Sequence, residues 1–358
     1  LFQDGGDVGD LYNYAPPAAD VMVANPRHRP EIALVRAGPA QATLRISMRY
    51  ELPLHCAENR QARHYEMVEC PIVTEVSLSP GVRRIDIRTT VTNLARDHRL
   101  RVLFPVPVLA EVSEAEGAFE VTRRPVRQPG PLPGEVPWSE WPELPVDTHP
   151  QKRFVDVSDG KIGLAVLNRG LPEYEVVPWP LNGGVAVALT LLRCVEWLSR
   201  SDMSTRKGHA GPMEYTPLGQ CLGEHVFEYA LAPHAGPWHA EDAMPLSEAQ
   251  AFETGLRARV TGLHAGKLPT SWSFVTVAPA GVVLSAIKRA ERENALVVRL
   301  YNPLPRGVTA EVRVLFACRE VQLATLKEEQ LPDTEAAAHE LTPLADQGAR
   351  LAMRSSEI

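Results

Sequence analysis

The sequence predicts a nearly all-β protein, with a large antiparallel β-sandwich followed by a smaller one. Three features carry that prediction. Apolar residues recur with a period of two along most of the chain, the pattern of half-buried strands. The 32 prolines and 24 glycines supply many turns and leave little room for long helices. A single stretch reads as a helix, Ser247-Glu248-Ala249-Gln250 and the helix formers that follow to about Arg259. Ser247 suits an N-cap, with Gln250 at its capping-box position.

The opening, LFQDGGDVGDLYNYAPPAAD, reads as a loop crowded with Asp, Gly and aromatic residues, like the lining of a site. Leu44, Ile46, Met48, Tyr50 and Leu52 then alternate with Arg45, Ser47, Arg49 and Glu51, which predicts a half-buried strand. Ile85, Ile87 and Val91 alternate with polar residues, and Ser79-Pro80-Gly81 supplies a turn. Residues 72–78 and 82–93 therefore form a hairpin. Further strands fall at about 99–108, 153–157, 161–167, 173–177, 184–195 and 224–232. Residues 125–150 hold Pro125, Pro129, Pro131, Pro133, Pro137, Pro142, Pro145 and Pro150. That density forbids regular structure and predicts a long exposed excursion. Its Trp138 and Trp141 can stack on a sugar face or pin the loop to the body.

After the helix, strands are expected at 273–278, 282–288, 295–301, 308–317 and 319–326. An acidic, Ala-rich loop follows at 328–340, and a last strand lies near 349–354. The domain reading is a large sandwich over 1–235, a linker with the helix over 236–268, and a small sandwich over 269–358. There is no internal repeat.

Composition narrows the function. A length of 358 residues suggests two or three domains. With 44% hydrophobic and 23% charged residues, the chain reads as an ordinary soluble protein. Its net charge of −7 is spread without a basic block, which argues against nucleic acid and membrane surfaces as partners. No apolar run reaches the ~20 residues of a membrane span; the longest, 183–192, suits a strand buried on both faces. Five scattered cysteines with no C-x-x-C pair read as reduced thiols of a cytoplasmic protein. The 11 histidines form no metal-binding motif. Asp4 to Asp10 lack the spacing of a calcium loop. No G-x-S-x-G elbow is present, and GGDVGD precedes no helix. On its residues alone the chain reads as a binding or structural β protein.

Five ordered blocks add a resemblance. DGGDVGDLYNYAPP near the start, GVRRIDIRTTVTNLARDHRLRVLFPVP at 81–107 and VSDGKIGLAVLNRGLPEYEV at 157–176 are three of them. The others are the stretch at 189–231, which includes LSRSDMSTRKGHAGP, and VVLSAIKRAERENALVVRLYNP at 282–303. Together they resemble the C-terminal region of glycoside hydrolase family 38, the α-mannosidases. The resemblance implies a supersandwich of the galactose-mutarotase type, then a smaller sandwich. It implies an N-terminal α/β barrel with a zinc ion and an Asp nucleophile, and a three-helix bundle. Neither is in this chain, so no catalytic residue and no cofactor is expected within it. The implied parent is a zinc-dependent retaining exo-α-mannosidase, whose two carboxyl groups stand ~5–5.5 Å apart. The chain would complete the mannose pocket and buttress the barrel. Its implied partners are an α-mannoside, its own barrel and bundle, and a second copy through exposed apolar surface.

The resemblance also implies site residues. A Tyr reaching the sugar maps onto Tyr12, with Tyr14 as the alternative. An Arg maps onto the segment 193–206, where Arg193, Arg200 and Arg206 compete and Arg200, near Asp202, is preferred. Asp7 and Asp10 can accept sugar hydroxyls or form Asx turns. Arg99 and Arg101 alternate with Leu100 and read as structural. A stand-alone carbohydrate-binding or structural module is the rival reading, and a mannosylglycerate-type hydrolase the rival within the enzyme class.

Overall fold

The computed structural model describes every residue except 132–134, 181–182, 268, 317, 333–335 and 345–346. The chain divides into two compact units, Leu1–Ala115 with Arg123–Pro237, and Glu116–Thr122 with Trp238–Ile358. The strands assigned in the first half are β1 (Phe2–Gly6), β2 (Glu31–Ala37), β3 (Ala42–Pro53), β4 (Met67–Leu78), β5 (Ile85–Asn93), β6 (His98–Val106), β7 (Val112–Glu116) and β8 (Val121–Pro125). They continue with β9 (Thr148–Pro150), β10 (Phe154–Ser158), β11 (Ile162–Asn168), β12 (Glu173–Trp179), β13 (Gly184–Cys194) and β14 (Gly223–Ala235). These build two antiparallel sheets. One has five strands in the order β1-β6-β13-β12-β9, and the other nine, β2-β3-β4-β5-β14-β11-β10-β7-β8.

Alternation does the work expected of it. Tyr50, Leu52, Ile72 and Val91 from the larger sheet pack in one core with Leu100, Val102, Val187 and Leu189 from the smaller. β4 and β5 form the predicted hairpin, in register from Ile72 opposite Val91 to Ser77 opposite Asp86. On the opposite, solvated face, charges of alternating sign sit across neighbouring strands, Arg45 opposite Glu75, Glu75 opposite Arg88, and Arg88 opposite Glu228. Such cross-strand pairs support a register. β13 is buried along nearly its whole length. Val187 faces the main core, while Ala186 and Ala188 pack with Leu103 on the other face. That is why its sequence runs apolar without alternating.

Several expectations need correction. The opening is not all loop: Phe2–Gly6 forms β1, paired with β6. Its Asp4 turns inward to His98, 2.5 Å away, and to Arg63, also at 2.5 Å. β2, β7, β8 and β9 were not expected. β2 is an edge strand exposed along its whole length, and it carries no polar-apolar alternation to reveal it. Leu44, expected inside, is 43% exposed, because nine strands overhang five. The Pro-rich segment contains a 3-10 turn at Trp138–Glu140 as well as β9; Pro133 lies outside the described residues.

In the second unit the helix α1 runs Met244–Glu253, not from a cap at Ser247 to Arg259. Pro245 fits the first turn, where no N–H is needed, and Ser247 Oγ donates to Met244 O at 2.9 Å. The strands β15 (Val275–Ala278), β16 (Val283–Arg289), β17 (Leu296–Tyr301) and β18 (Val308–Val314) follow, then β19 (Thr342–Leu344) and β20 (Gly348–Met353). They form a four-stranded sheet, β15-β18-β20-β19, and a β16-β17 pair around a small core with Leu300 and Ala310. The strand expected at 308–317 stops at Val314; residue 317 lies outside the described residues. The stretch 319–326 forms no strand, only an isolated bridge from Ala324 to Gln330. The loop expected at 328–340 includes a 3-10 turn at Ala337–His339, with 333–335 outside the described residues.

Candidate functional site

The residues that leave β1 form a loop, 7–15, closed by its own backbone. Val8 N donates to Ala15 O at 2.8 Å and Asp10 N to Asn13 O at 3.0 Å. Gly9 sits where a Cβ would lie 2.1 Å from Asn13 O, so no other residue fits without opening the loop.

Two buried carboxylates hold this loop. Asp7 Oδ1 accepts from Gly9 N at 2.9 Å and Ala15 N at 3.3 Å. Its Oδ2 meets Arg193 at 2.8 Å. Burial raises the Asp7 carboxyl pKa, against the pull of Arg193. Asp10 Oδ1 accepts from Tyr12 N and Asn13 N at 3.0 and 2.8 Å. Its Oδ2 accepts from Arg200 N at 2.8 Å and Arg206 Nη2 at 2.5 Å. Burial works against the Asp10 charge, but Arg206 and the N–H donors outweigh it and leave the pKa below the usual carboxylate range. Four donors fill the capacity of a carboxylate. Asp10 is therefore an anchor for the loop, and its acceptor sites are taken up within the chain.

The three competing arginines separate clearly. Arg193 spans the loop: its Nη2 donates to Asp10 O at 2.9 Å and Asn13 O at 3.0 Å. Arg206 is buried and donates to Asp10 Oδ2, Asn13 Oδ1 and Arg200 O. The Arg200 guanidinium is partly exposed, at 20% against 16% for Arg193 and 5% for Arg206, and it bonds outside the loop. It pairs with Asp202 through Nε and Nη2, both at 2.9 Å, and stands 5.6 Å from the Trp197 ring centroid. Arg200 and Arg60 together hold the Asp202 carboxyl well below its ordinary pKa.

The two tyrosines also separate. Tyr12 is 52% exposed. Its phenol lies over Gly211, where a Cβ would come within 2.8 Å of the hydroxyl oxygen. Tyr14 is half-buried, with the Arg99 guanidinium 3.6 Å over its ring, a cation–π contact. Burial raises its phenol pKa. Behind it, Arg99 lies 3.6 Å from Glu175, and Arg101 donates to Glu175 and to Gln3, so both arginines bind their own sheet. Tyr12 thus offers a phenol to solvent, while Tyr14 supports the loop from beneath.

Sequence reading missed three supports. Ser199, fully buried, accepts from Ala210 N and Gly211 N at 3.0 and 3.2 Å, setting the floor under Tyr12. Asn13 Nδ2 donates to Glu143 Oε1 at 2.5 Å. Glu143 belongs to the Pro-rich excursion, which docks by Leu144 N to Thr205 O at 2.9 Å and Lys207 Nζ to Ser139 O at 2.7 Å. Trp138 and Trp141 lie 6.4 Å apart, and Trp141 Nε1 donates to Val136 O within the excursion. A serine or an Asn-Glu contact of this kind carries no sequence signal.

The site is thus a tightly wired loop that exposes one phenol, with Leu11, Met213 and Tyr215 also exposed in and near its supporting segments. Residues 1–198 match the family model for the Glycosyl hydrolases family 38 C-terminal domain, and residues 281–356 that for the family 38 C-terminal beta sandwich domain. The chain belongs to glycosyl hydrolase family 38. The wired loop lies wholly within the family's C-terminal domain, and the Arg200–Arg206 segment just beyond its matched residues. Among similar proteins is a putative mannosylglycerate hydrolase of Halalkalibacterium halodurans, 25% identical over 92% of this chain and 35% of that protein. Alpha-mannosidase 2C1 of Mus musculus is 27% identical over 72% of this chain and 22% of its own length. The crystal structure of an alpha-mannosidase from Enterococcus faecalis superposes with a TM-score of 0.79 at 28% identity, covering 99% of this chain and 38% of that one. The chain spans between 22% and 38% of these relatives, as the C-terminal part of an α-mannosidase-like protein of family 38.

Proposed function

We propose that this chain forms one wall of the glycone pocket in a retaining, zinc-dependent α-mannosidase, with the nucleophile and acid supplied by an N-terminal part. The observation that carries the reading is the contrast within the loop. The Asp7, Asp10, Asn13, Arg193 and Arg206 side chains are bonded within the chain, while the Tyr12 side chain is half exposed and its phenol makes no hydrogen bond among the described residues. A phenol is neutral at pH 7 and donates from a stiff arm, which suits a sugar hydroxyl or the nucleophilic carboxylate. Arg200 is the second contact, a planar donor on the same surface. Asp10 and Tyr14 act through position. A zinc ion belongs to the N-terminal part in this reading. Among the described residues no three His, Cys, Asp or Glu converge to hold one. Five free thiols support a reducing, cytoplasmic setting.

A mannosylglycerate-type substrate is the second reading, favoured by the H. halodurans relative that matches 92% of this chain. The test uses the full-length enzyme on an aryl α-mannoside and on mannosylglycerate. NMR of the first-formed sugar should show retained α configuration, a chelator should stop turnover, and the isolated chain should give background rates. Inversion at the anomeric carbon, or chelator-sensitive turnover by the isolated chain, contradicts the reading.

A further inference from the structure

The support beneath Tyr12 continues away from the wired loop and carries a second aromatic group. Segments 196–199 and 210–216 run antiparallel as a short ribbon. Thr216 N donates to Glu196 O at 2.7 Å and Leu198 N to Glu214 O at 2.9 Å, and at the far end Ala210 N and Gly211 N donate to Ser199 Oγ. Leu11 N donates to Trp197 O at 3.1 Å, which ties the ribbon to the loop. Trp197 and Tyr215 stand opposite each other across the ribbon, so their side chains leave it on the same face.

The two rings pack together, with centroids 5.4 Å apart and planes tilted by 59°. The Arg200 guanidinium lies 5.6 Å from the Trp197 centroid. Arg200 is held in turn by Asp202, which Arg60 also binds. The Tyr215 hydroxyl points at Glu196 Oε2, 3.5 Å away. Tyr215 is the open end of this stack and stays 56% exposed. An aromatic ring left that open, yet backed by a second ring that is itself held, has the build of a platform for a ligand.

We propose that Tyr215, backed by Trp197, forms a sugar-stacking subsite beside the glycone pocket, taking the sugar residue to which the mannose is linked. The inference rests on the reading of Tyr12 as a glycone contact. Tyr12 lies over Gly211, and Tyr215 follows Gly211 by four residues, a backbone span of at most about 14 Å. That brings both tyrosines within reach of one ligand with two linked sugar rings. A pyranose presents a face of C–H bonds, slightly positive, to the negative face of an aromatic ring. Its hydroxyls project from the ring edge and keep their water. An open-chain aglycone such as glycerate has no such face. The platform thus fits α-mannosides whose leaving group is itself a sugar.

The test measures kcat/KM of the full-length enzyme on α-mannobiose and on α-mannosyl fluoride, whose leaving group is a single atom and reaches no subsite. The readout is the ratio of the two. Tyr215→Ala and Tyr215→Leu should each lower that ratio roughly two- to tenfold, the worth of one aromatic stacking contact. Tyr215→Phe, which keeps the ring, should restore it. Tyr12→Phe should lower both substrates by the same factor and leave the ratio alone. A ratio in Tyr215→Ala equal to the parent's overturns the subsite and leaves the Tyr12 reading standing. A loss shared equally by both substrates, with a lower unfolding midpoint, also overturns it, because Tyr215 is then a packing contact of the full-length protein. Turnover of the fluoride without the mannobiose overturns the class of ligand. A ratio that falls in Tyr215→Ala beside a silent Tyr12→Phe upholds the subsite and overturns the Tyr12 reading instead.

Discussion

The loop at residues 7–15 and the edge strand β2 are opposites. The loop has no regular structure, yet its carboxylates are buried and each bonds several donors. β2 is a regular strand, yet all seven residues are exposed, with Ile32 and Leu34 uncovered at 66% and 62%. What fixes the backbone of the loop is its satisfied polar groups rather than membership of a sheet. A loop held that way can keep a side chain in one place, which is what a binding wall requires.

The comparison breaks most visibly at Arg206. Arg206→Met leaves the Asp10 carboxylate buried without its cation, and removing one partner of a buried pair costs about 3–5 kcal/mol. Denaturant unfolding should show that loss, and activity of the full-length enzyme should fall with it. A variant as stable as the parent would mean the wiring does not hold the loop. Gly9→Ala should cost about 1–3 kcal/mol by overpacking, since its Cβ meets the Asn13 carbonyl at 2.1 Å. A crystal structure of that variant should show the Asp10–Asn13 turn displaced; an unmoved turn would contradict the account.

Acid sharpens the comparison next. Asp10 has a folded pKa below its unfolded value near 3.8, so its stabilising contribution is fully present above that pH. It is lost as pH falls through the folded pKa. In Asp10→Asn the acid side of the stability curve should flatten, and an unchanged acid limb would show that another group controls it. The smallest effect belongs to the edge. Leu34→Lys should change stability by no more than about 0.5 kcal/mol while reducing concentration-dependent association, because charge on an edge strand opposes pairing. Sedimentation at increasing concentration checks this; association unaffected by the lysine would place the contact elsewhere.

The same contrast explains what the sequence made legible. Strands with one face inside, such as β3 to β5, announce themselves by period two. The fully buried β13 is visible as an unbroken apolar run. β2 stayed hidden because it buries neither face and so carries no pattern. α1 was found, but its start was displaced because Pro245 and Ser247 are both good first-turn residues. At the site, the Asp/Gly crowding marked the loop correctly. It could not tell which aspartate anchors and which tyrosine is displayed, since that depends on Arg193, Arg206 and Ser199, far along the chain. Ser199 in particular is one serine among many until Ala210 and Gly211 are seen to bond to it.

The central claim is that this wiring exists to present the Tyr12 phenol to a mannoside. The most direct measurement compares kcat/KM of Tyr12→Phe and Tyr14→Phe in the full-length enzyme, with the unfolding midpoint of each. Leaving a buried partner unpaired costs about 1–3 kcal/mol, roughly a ten- to hundredfold loss in kcat/KM. The account predicts that loss for Tyr12→Phe at an unchanged midpoint, with a much smaller effect for Tyr14→Phe. Equal kcat/KM for Tyr12→Phe and the parent, or a damaging Tyr14→Phe beside a silent Tyr12→Phe, would contradict it.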